Sequence, residues 1–231
     1  MVFESCVDSL DGALASEAGG ASRLELCAQL DLGGTTPDPG LVRQVVAATS
    51  VPVFAMVRPR EGDFVYTDDE LEATADHIRA MQAAGAHGVV FGVLDADRAI
   101  AREPMRRLID IARPLPVTCH RAFDATADLE RSLDVLIALG VERVLTSGGA
   151  ATASEGAPTI AALVRRAPGA IRIIAAGGVR ASNVPALVRA TGVDEVHARL
   201  IREPGPASPT TREAWRRLVT DFVAALPRDG G

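Results

Sequence analysis

The sequence predicts an α/β fold, a single-domain (β/α)8 barrel of the TIM type over residues 1–231. Short runs rich in Val, Ile and Leu alternate with longer helical stretches along the chain, which is typical of strand–helix units around a parallel sheet. Eight such runs occur, and their mean spacing of about 27 residues fits one strand, one helix and two loops. No dinucleotide-type glycine motif follows the first strand, so a closed barrel is favoured over an open doubly wound sheet.

The predicted strands follow one another at regular intervals. They are Val2–Cys6, Arg23–Cys27, Val53–Arg58, Gly88–Phe91, Val117–His120, Arg143–Thr146, Arg172–Ala176 and Glu195–His197. Helix starts are indicated by Asp38 before Pro39 and by Thr67 before three acidic residues, because such side chains cap the free N–H groups of a first turn. Helix ends are indicated by Gly85, Gly140 and Gly192. A Pro- and Gly-rich loop, Glu203–Pro209, is expected before the last helix.

The composition excludes several classes of protein. All 24 basic residues are Arg, so the chain lacks the Lys that Schiff-base aldolases, pyridoxal-phosphate enzymes and Walker-type phosphate loops require. Aromatic residues make up 3% of the chain and the net charge is −6, which disfavours nucleic-acid binding. No apolar run approaches the ~18 to 20 residues of a membrane-spanning helix, so no membrane insertion is expected.

The location expected from the sequence is the cytoplasm. The first residues carry an acid at position 4 and lack the basic and apolar regions of a signal peptide. Three cysteines cannot form a disulfide framework, and in a reducing compartment they are expected to be thiols, open to metal binding or simply buried.

Polar side chains are predicted to point into the barrel at its mouth, the carboxyl-terminal ends of the strands, where TIM barrels place their active sites. Because side chains alternate along a strand, Leu24 and Leu26 on the helix side leave Glu25 and Cys27 inside. The same alternation predicts as inward Glu4, Cys6, Arg23, Phe54, Met56, Arg58, Thr118, His120, Glu195 and His197. Carboxylates, arginine and histidine inside a barrel indicate function, the alternative being a buried layer of ion pairs.

Four of these residues, Glu4, Glu25, Arg58 and His120, are the candidate catalytic residues. Two close carboxylates push their pKa values apart, so that one can serve as an acid and the other as a base. His120 would assist proton transfer, and Arg58 together with Arg60 would clamp an anionic group of a substrate.

Candidate anion-binding residues lie mainly in the loops after the sixth and seventh strands. Glycine pairs occur there, and glycine lets backbone N–H groups approach an anion closely. The candidates are Arg60, Ser147, Gly148, Gly177, Gly178 and His197, with Arg180 or Arg199 nearby. The alternative is that tight turns between strand and helix require glycine in any case.

A candidate metal site is formed by Cys6 and Cys27, each two residues beyond an inward Glu on adjacent strands. Neighbouring strands lie about 4.8 Å apart, so the two thiolates could bind one soft ion such as copper(I), or oxidise to a disulfide. Zinc would need four ligands and is a weaker geometric case. The third alternative is that both are small buried hydrophobic residues.

The strand ends and their loops carry a series of short motifs in a fixed order. The motifs are Glu4-Ser-Cys6, Glu25-Leu-Cys27, Gly33-Gly34-Thr35-Thr36-Pro37, Arg58-Pro59-Arg60, Gly62-Asp63-Phe64 with Tyr66, Gly92-Val93-Leu94-Asp95, His120-Arg121-Ala122-Phe123-Asp124, Leu145-Thr146-Ser147-Gly148, Gly177-Gly178-Val179 and Val196-His197. In these motifs the sequence resembles the CutC copper homeostasis proteins over most of its length. It departs from the family after Val196-His197, where Ala198-Arg199 replaces a Ser-containing stretch and the following loop is shorter.

The resemblance implies a TIM-type barrel, a cytoplasmic homo-oligomer with a dimer favoured, and copper(I) on the thiols of Cys6 and Cys27. It implies no nucleotide, pyridoxal phosphate or flavin cofactor. The function expected is therefore copper(I) binding at the barrel mouth. The alternative is an enzyme that performs acid–base chemistry on a small anionic, phosphorylated or hydroxylated metabolite, so the sequence leaves open whether the chain is an enzyme.

Overall fold

Parallel strands form a closed barrel in the computed structural model, which describes residues 1–200 and 211–227. The strands of this described part are β1 (Val2–Val7), β2 (Arg23–Leu26), β3 (Val53–Met56), β4 (Gly88–Phe91), β5 (Val117–Cys119), β6 (Arg143–Thr146), β7 (Arg172–Ala175) and β8 (Glu195–Ala198). Each strand pairs with the next along the chain, and β8 pairs with β1 to close the barrel. The predicted fold class is confirmed.

Helices cover the outside of the barrel. Within the described residues they are α1 (Leu10–Ala18), α2 (Pro39–Ala48), α3 (Asp68–Ala83), α4 (Arg102–Ala112), α5 (Leu129–Ala138), α6 (Ala157–Arg166), α7 (Val184–Thr191) and α8 (Arg212–Ala225). Short 3-10 turns occupy Leu30–Leu32 and Phe123–Ala125. The loop predicted at Glu203–Pro209 lies outside the described residues. None of the described helices combines the length and the apolar character needed to cross a membrane.

The predicted helix starts are confirmed by their capping bonds. The Asp38 carboxylate accepts hydrogen bonds from the N–H groups of Gly40 and Leu41 at the start of α2. Thr67 and Glu70 form a capping box at the start of α3, in which each side chain accepts from the other's backbone N–H. These bonds satisfy N–H groups that a first helical turn leaves free, and they fix where the chain enters each helix.

The core has two parts, as the alternation of side chains predicts. A large outer core fills the space between strands and helices, and Cys119 belongs to it. A smaller cluster lies inside the barrel and contains Cys6, Cys27, Phe54, Met56, Val90, Leu145, Ile174 and Ala176. The inward positions predicted for Cys6, Cys27, Phe54 and Met56 are thereby confirmed.

Several strands end one or two residues away from the predicted positions. β3 stops at Met56 because the Arg58 N–H donates to Thr36 Oγ1 rather than to a neighbouring strand. β5 stops at Cys119, before His120, and β2 stops at Leu26, before Cys27. β1 and β8 each extend one residue further, to Val7 and Ala198. The side chains beyond the strand ends therefore belong to loops that bend over the barrel mouth.

Candidate functional site

A cavity of about 260 Å³ opens at the carboxyl-terminal ends of the strands. Among the residues predicted from sequence it is lined by Cys6, Glu25, Cys27, Arg58, His120, Gly177, Gly178 and His197. These residues come from strands or loops all around the barrel, so the closed topology brings them together. Glu4, Arg60, Ser147 and Gly148 do not line the cavity.

The two thiols face each other at the bottom of the cavity. The Sγ atoms of Cys6 and Cys27 are 3.9 Å apart, both side chains are buried, and neither is in a disulfide. The hydrogen bond from Cys27 and the protonated His197 nearby outweigh burial and lower the pKa of Cys6 to about 5. The same bond to Cys6, together with burial, raises the pKa of Cys27 well above its usual value. Cys6 is therefore the more acidic thiol of the pair, and Cys27 Sγ also donates to Glu25 Oε2 at 3.5 Å.

His197 joins the two carboxylates. Its Nδ1 is 2.8 Å from Glu4 Oε1 and its Nε2 is 3.7 Å from Glu25 Oε2. The strand register explains this arrangement, because Glu4 on β1 lies beside both His197 on β8 and Arg23 on β2. Burial disfavours the charged ring, but the carboxylates of Glu25 and Glu4 and the Cys6 thiolate raise the pKa of His197 well above its usual value. The ring is therefore a cation held between acids.

The two carboxylates differ in environment. Burial opposes ionisation of Glu4, yet the hydrogen bond from His197 and the charge of Arg23 lower its pKa to about 2. Burial raises the pKa of Glu25 well above its usual value, and the negative charges of Cys6 and Glu4 add to this effect against the attraction of His197. The Oε1 atom of Glu25 is buried and has no hydrogen-bond partner within the described residues. Glu25 alone of the two carboxylates faces the cavity.

A layer of charged side chains, here called the barrel floor, lies on the side of Glu4 away from the thiols. Its charged members are Glu4, Arg23, Arg143 and Glu195, and the ring of Phe54 packs against both guanidinium groups. Arg23 donates to Glu4 Oε2 and to Glu195 Oε2, each at 2.5 Å. The guanidinium carbons of Arg23 and Arg143 lie 5.3 and 4.9 Å from the centre of the Phe54 ring. The predicted alternative of a buried ion-pair layer thus describes Glu4, while Glu25 belongs to the cavity.

Arg58 and His120 form one wall of the cavity. The Arg58 guanidinium donates to the carbonyl groups of Gly34 and Gly62 at 3.2 and 2.8 Å and lies over the Phe64 ring, 4.9 Å from its centre. His120 Nδ1 accepts from the Ala122 N–H at 3.2 Å, which places the ring proton on Nε2. Burial and the charge of Arg58 lower the pKa of His120 to about 3, so the ring is a neutral donor at physiological pH.

Arg60 is separated from this group. Its guanidinium donates to Glu70 Oε1 at 2.5 Å and to Asp63 Oδ1 at 2.9 Å, and it lies over the Tyr66 ring. These contacts fix the loop between β3 and α3 at its outer side. The structure does not bring Arg60 into the cavity.

Ser147 and Gly148 belong to a turn whose donors are already used. The Asp124 carboxylate accepts from the N–H groups of Ser147 and Gly149 and from the hydroxyl groups of Thr146 and Ser147. The Gly148 N–H donates to Thr146 Oγ1 at 2.8 Å. The anion that this turn binds is thus a side chain of the protein itself.

Sequence reasoning gave no role to several residues of the site. Asp124 lies in the 3-10 turn after β5, and Arg121, Phe64 and Leu30 line the cavity from the connections between strands and helices. The alternation of a strand does not extend into loops, so no periodic signal identifies these side chains. An acidic residue shortly after a strand of a predicted barrel is the one signal that could have drawn attention to Asp124.

Comparisons with known proteins identify the family of this chain. The model of the CutC family matches residues 1–201. The copper homeostasis protein cutC homolog of Homo sapiens is 45% identical over 206 residues, which cover 88% of this chain and 76% of the relative. A family protein CutC of Caulobacter vibrioides is 45% identical over 238 residues, covering 98% and 97% of the two chains. The crystal structure of CutC from Streptococcus agalactiae is similar with a TM-score of 0.81 at 33% identity, covering 85% of this chain and 97% of that one. This chain belongs to the CutC family.

Proposed function

We propose that this chain acts in copper homeostasis by binding copper(I) through the thiols of Cys6 and Cys27. The observation that carries the proposal is their separation, 3.9 Å between buried Sγ atoms at the bottom of a cavity that opens outward. Thiolates are soft ligands that select copper(I), and two facing sulfurs suit an ion that accepts two of them. The human relative is named a copper homeostasis protein, which agrees with this function.

The set of donors around the thiols fits copper(I) better than zinc. Met56 lies in the same interior cluster and adds a thioether, which is also a soft ligand. A tetrahedral zinc site would have to recruit Glu25 and His197, and both would first have to lose a proton, because the pKa of each is raised well above its usual value. A site of two thiols and a nearby thioether therefore favours the softer ion.

The charges around the thiols also favour a bound cation of charge one. Two thiolates with copper(I) carry one net negative charge, which costs free energy in a buried place unless a positive group lies nearby. The protonated His197 is such a group, because it contacts Glu4 and Glu25 and raises the acidity of Cys6. Loss of the proton held by Cys27 would accompany binding.

An anaerobic titration of copper(I) against a chromogenic chelator tests the proposal. We expect the wild type to bind one equivalent tightly and the Cys6→Ser/Cys27→Ser variant to lose that binding. Cys119→Ser is the matched control, because Cys119 is an equally buried thiol that packs in the outer core. Equal copper affinity in the wild type and the double variant would refute the proposal.

We also propose that the protein acts in the cytoplasm and that it is a homo-oligomer, with a dimer favoured. Free thiols suited to copper(I) persist in a reducing compartment, and all the cysteines of this chain are free. The oligomeric state rests on the family resemblance and can be measured by sedimentation.

A second candidate function is acid–base catalysis on a small anionic metabolite. The specific observation in its favour is Glu25, a buried carboxyl that faces the cavity with a raised pKa and an unpartnered Oε1. A protonated carboxyl next to a cationic His197 can donate a proton to a bound substrate, and its ionised form can take one back. A copper store does not need this group.

Exchange of substrate protons in deuterated water tests the second function. Small phosphorylated sugars and hydroxy acids would be incubated with the wild type and with Glu25→Gln, and deuterium incorporation would be followed by proton NMR. Acid–base catalysis predicts exchange in the wild type and a loss of about a hundredfold or more in the variant. Equal exchange in both proteins, or copper affinity lost together with exchange, would argue against a separate catalytic role for Glu25.

A further inference from the structure

Two turns with the same Gly-Gly pair follow neighbouring strands of the barrel, the β6 turn (residues 147–150) and the β7 turn (residues 176–180). In the β6 turn, the N–H groups of Ser147 and Gly149 donate to the Asp124 carboxylate, and that of Gly148 donates to Thr146 Oγ1. The protein therefore supplies its own anion to this turn. The β6 turn thus shows, within the same protein, that a turn of this kind binds a carboxylate through its N–H groups.

The β7 turn is built in a similar way but has no internal anion. Within the described residues, the N–H groups of Gly177, Gly178 and Val179 donate to no backbone or side-chain acceptor. The turn is nevertheless fixed, because the Gly177 carbonyl accepts from the Ala153 N–H and the Gly178 carbonyl accepts from the Asn183 amide. Three successive donors are thus held in place without an acceptor, and their residues line the cavity.

Positive charge surrounds this turn. A Cβ atom on Gly177 would lie 3.5 Å from Nη1 of Arg121, so the guanidinium stands directly over the turn. Arg121 uses its other nitrogens, Nε on Asp124 and Nη2 on Ser147, which fixes the guanidinium plane. The cavity is lined by Arg58, Arg121, Arg180 and Arg199, and Glu25 is its single acidic lining residue within the described chain. Arg121 is paired with Asp124 and Arg199 with Asp31, whereas Arg58 has no carboxylate partner among the described residues, so its charge can attract an anion that enters.

A buried donor on the cavity wall gives a second, independent indication of a ligand. His120 is 4% exposed, its Nδ1 is used by the Ala122 N–H, and its Nε2 has no partner within the described residues. A protonated ring nitrogen without an acceptor costs free energy when buried, and an acceptor atom of a ligand beside it would remove that cost. His120 lines the same cavity as the β7 turn.

We propose that the β7 turn, with Arg121, binds the phosphate group of a small phosphorylated metabolite whose remaining atoms extend toward His120 and Glu25. A cavity of about 260 Å³ admits a phosphate ester of a few carbons and excludes a nucleotide cofactor of the dinucleotide type. That the phosphate group belongs to a metabolite rests on the second candidate function, acid–base catalysis. Phosphate binding itself depends on neither the thiols nor catalysis.

The test is the binding of inorganic phosphate to a pair of variants at one position, measured by calorimetry and by phosphorus NMR. Gly178→Asp and Gly178→Asn introduce side chains of equal size at a positive φ of 70°, which Asn and Asp tolerate best. They differ in charge and in one group, the amide NH2 of Asn in place of a carboxylate oxygen of Asp. We expect a Kd on the order of 1 mM for the wild type and binding weaker by about tenfold or more in Gly178→Asp than in Gly178→Asn. Equal affinity in the two variants would overturn the proposal.

A second pair of variants keeps the test decisive if position 178 does not accept a side chain. Arg121→Gln should weaken phosphate binding several-fold, whereas Arg106→Gln, the same charge change on the outer surface of α4, should leave it unchanged. Equal phosphate affinity in Arg121→Gln and the wild type would overturn the proposal. Competition by acetate as strong as that by phosphate would overturn the assignment to phosphate.

The outcome is separable from the proposed functions. The Cys6→Ser/Cys27→Ser variant should bind phosphate as the wild type does, and Gly178→Asp should still bind copper(I). Phosphate binding without copper binding would leave this inference standing while the copper proposal fails. Loss of phosphate binding in the double thiol variant would overturn the separation of the two sites.

Discussion

Asp124 is the residue whose replacement should most clearly reveal how the barrel mouth is held together. The substitution Asp124→Asn keeps the size of the side chain and removes one acceptor oxygen and the charge. Both oxygens are in use: Oδ1 accepts from Thr146 Oγ1 at 2.5 Å and from the Gly149 N–H at 3.1 Å, and Oδ2 accepts from Ser147 Oγ at 2.9 Å and from Arg121 Nε at 2.8 Å. Whichever oxygen becomes an amide NH2 then faces donors that it cannot satisfy.

The magnitude follows from the bonds lost. A hydrogen bond to a charged group contributes about 1.5 to 3 kcal/mol net, and a buried donor left without an acceptor costs a similar amount. The ion pair with Arg121 adds little, because that guanidinium is 44% exposed. Loss of about two charge-assisted bonds therefore predicts a decrease of about 3 kcal/mol in the free energy of unfolding. In a chain of this length that corresponds to a Tm lower by about 6 to 12 °C.

Urea unfolding at pH 7, followed by far-UV circular dichroism, measures this decrease. The control is Asp110→Asn, in which an exposed carboxylate 3.4 Å from Arg113 loses its charge and should change stability by less than about 0.5 kcal/mol. If Asp124→Asn is as stable as the control, then the Asp124 carboxylate contributes nothing net to the β6 turn. The comparison between an occupied β6 turn and an open β7 turn would lose its basis.

Three further predictions concern the floor, the packing and a helix cap. Because the folded pKa of Glu4, about 2, lies below its ordinary 4.5, its contribution is complete above pH 4.5 and is lost as the pH falls toward 2. Glu4→Gln should therefore lower the free energy of unfolding by about 3 kcal/mol at pH 7. In urea unfolding, the difference in stability between the variant and the wild type should shrink at low pH, and a difference independent of pH would contradict this. A Cβ on Gly88 would overlap the Phe54 ring, so Gly88→Ala should lower the free energy of unfolding by about 1 to 3 kcal/mol. A variant as stable as the wild type would show that the Phe54 ring can move aside to accept the methyl group. Thr67→Ala removes one half of the α3 capping box and should lower the free energy of unfolding by about 1 kcal/mol, whereas Thr67→Ser should retain most of it.

The inner face of the barrel could be predicted from the sequence because one simple rule governs it. Side chains alternate along a strand, so the position of Leu24 and Leu26 on the helix side determines where Glu25 points. The parallel order of strands then brings Cys6 and Cys27 together without knowledge of any contact. The same reasoning placed Cys119 on the outer side, where it packs.

Residues in loops could not be placed in this way. Arg60 follows Arg58 by two residues, and continued alternation would put both in the cavity, but β3 ends at Met56 and the chain turns outward. Ser147 looked like part of an open anion site because nothing in the sequence says that Asp124 reaches across from the loop after β5. Such contacts depend on how two loops cross in space, and no local pattern records that.

The side chains of the barrel floor fill the barrel interior on the side away from the mouth. Below the thiols the barrel is filled by the ring of Phe54, by the guanidinium groups of Arg23 and Arg143 beside it, and by Glu4 and Glu195, which both accept from Arg23. If Cys6 binds copper(I) as proposed, the ion would therefore leave through the same cavity by which it enters. Transfer of copper by this protein would then take place at the barrel mouth alone. A copper donor and a copper acceptor would have to bind the same face of the barrel one after the other, and the ion would not pass through the molecule from one end to the other.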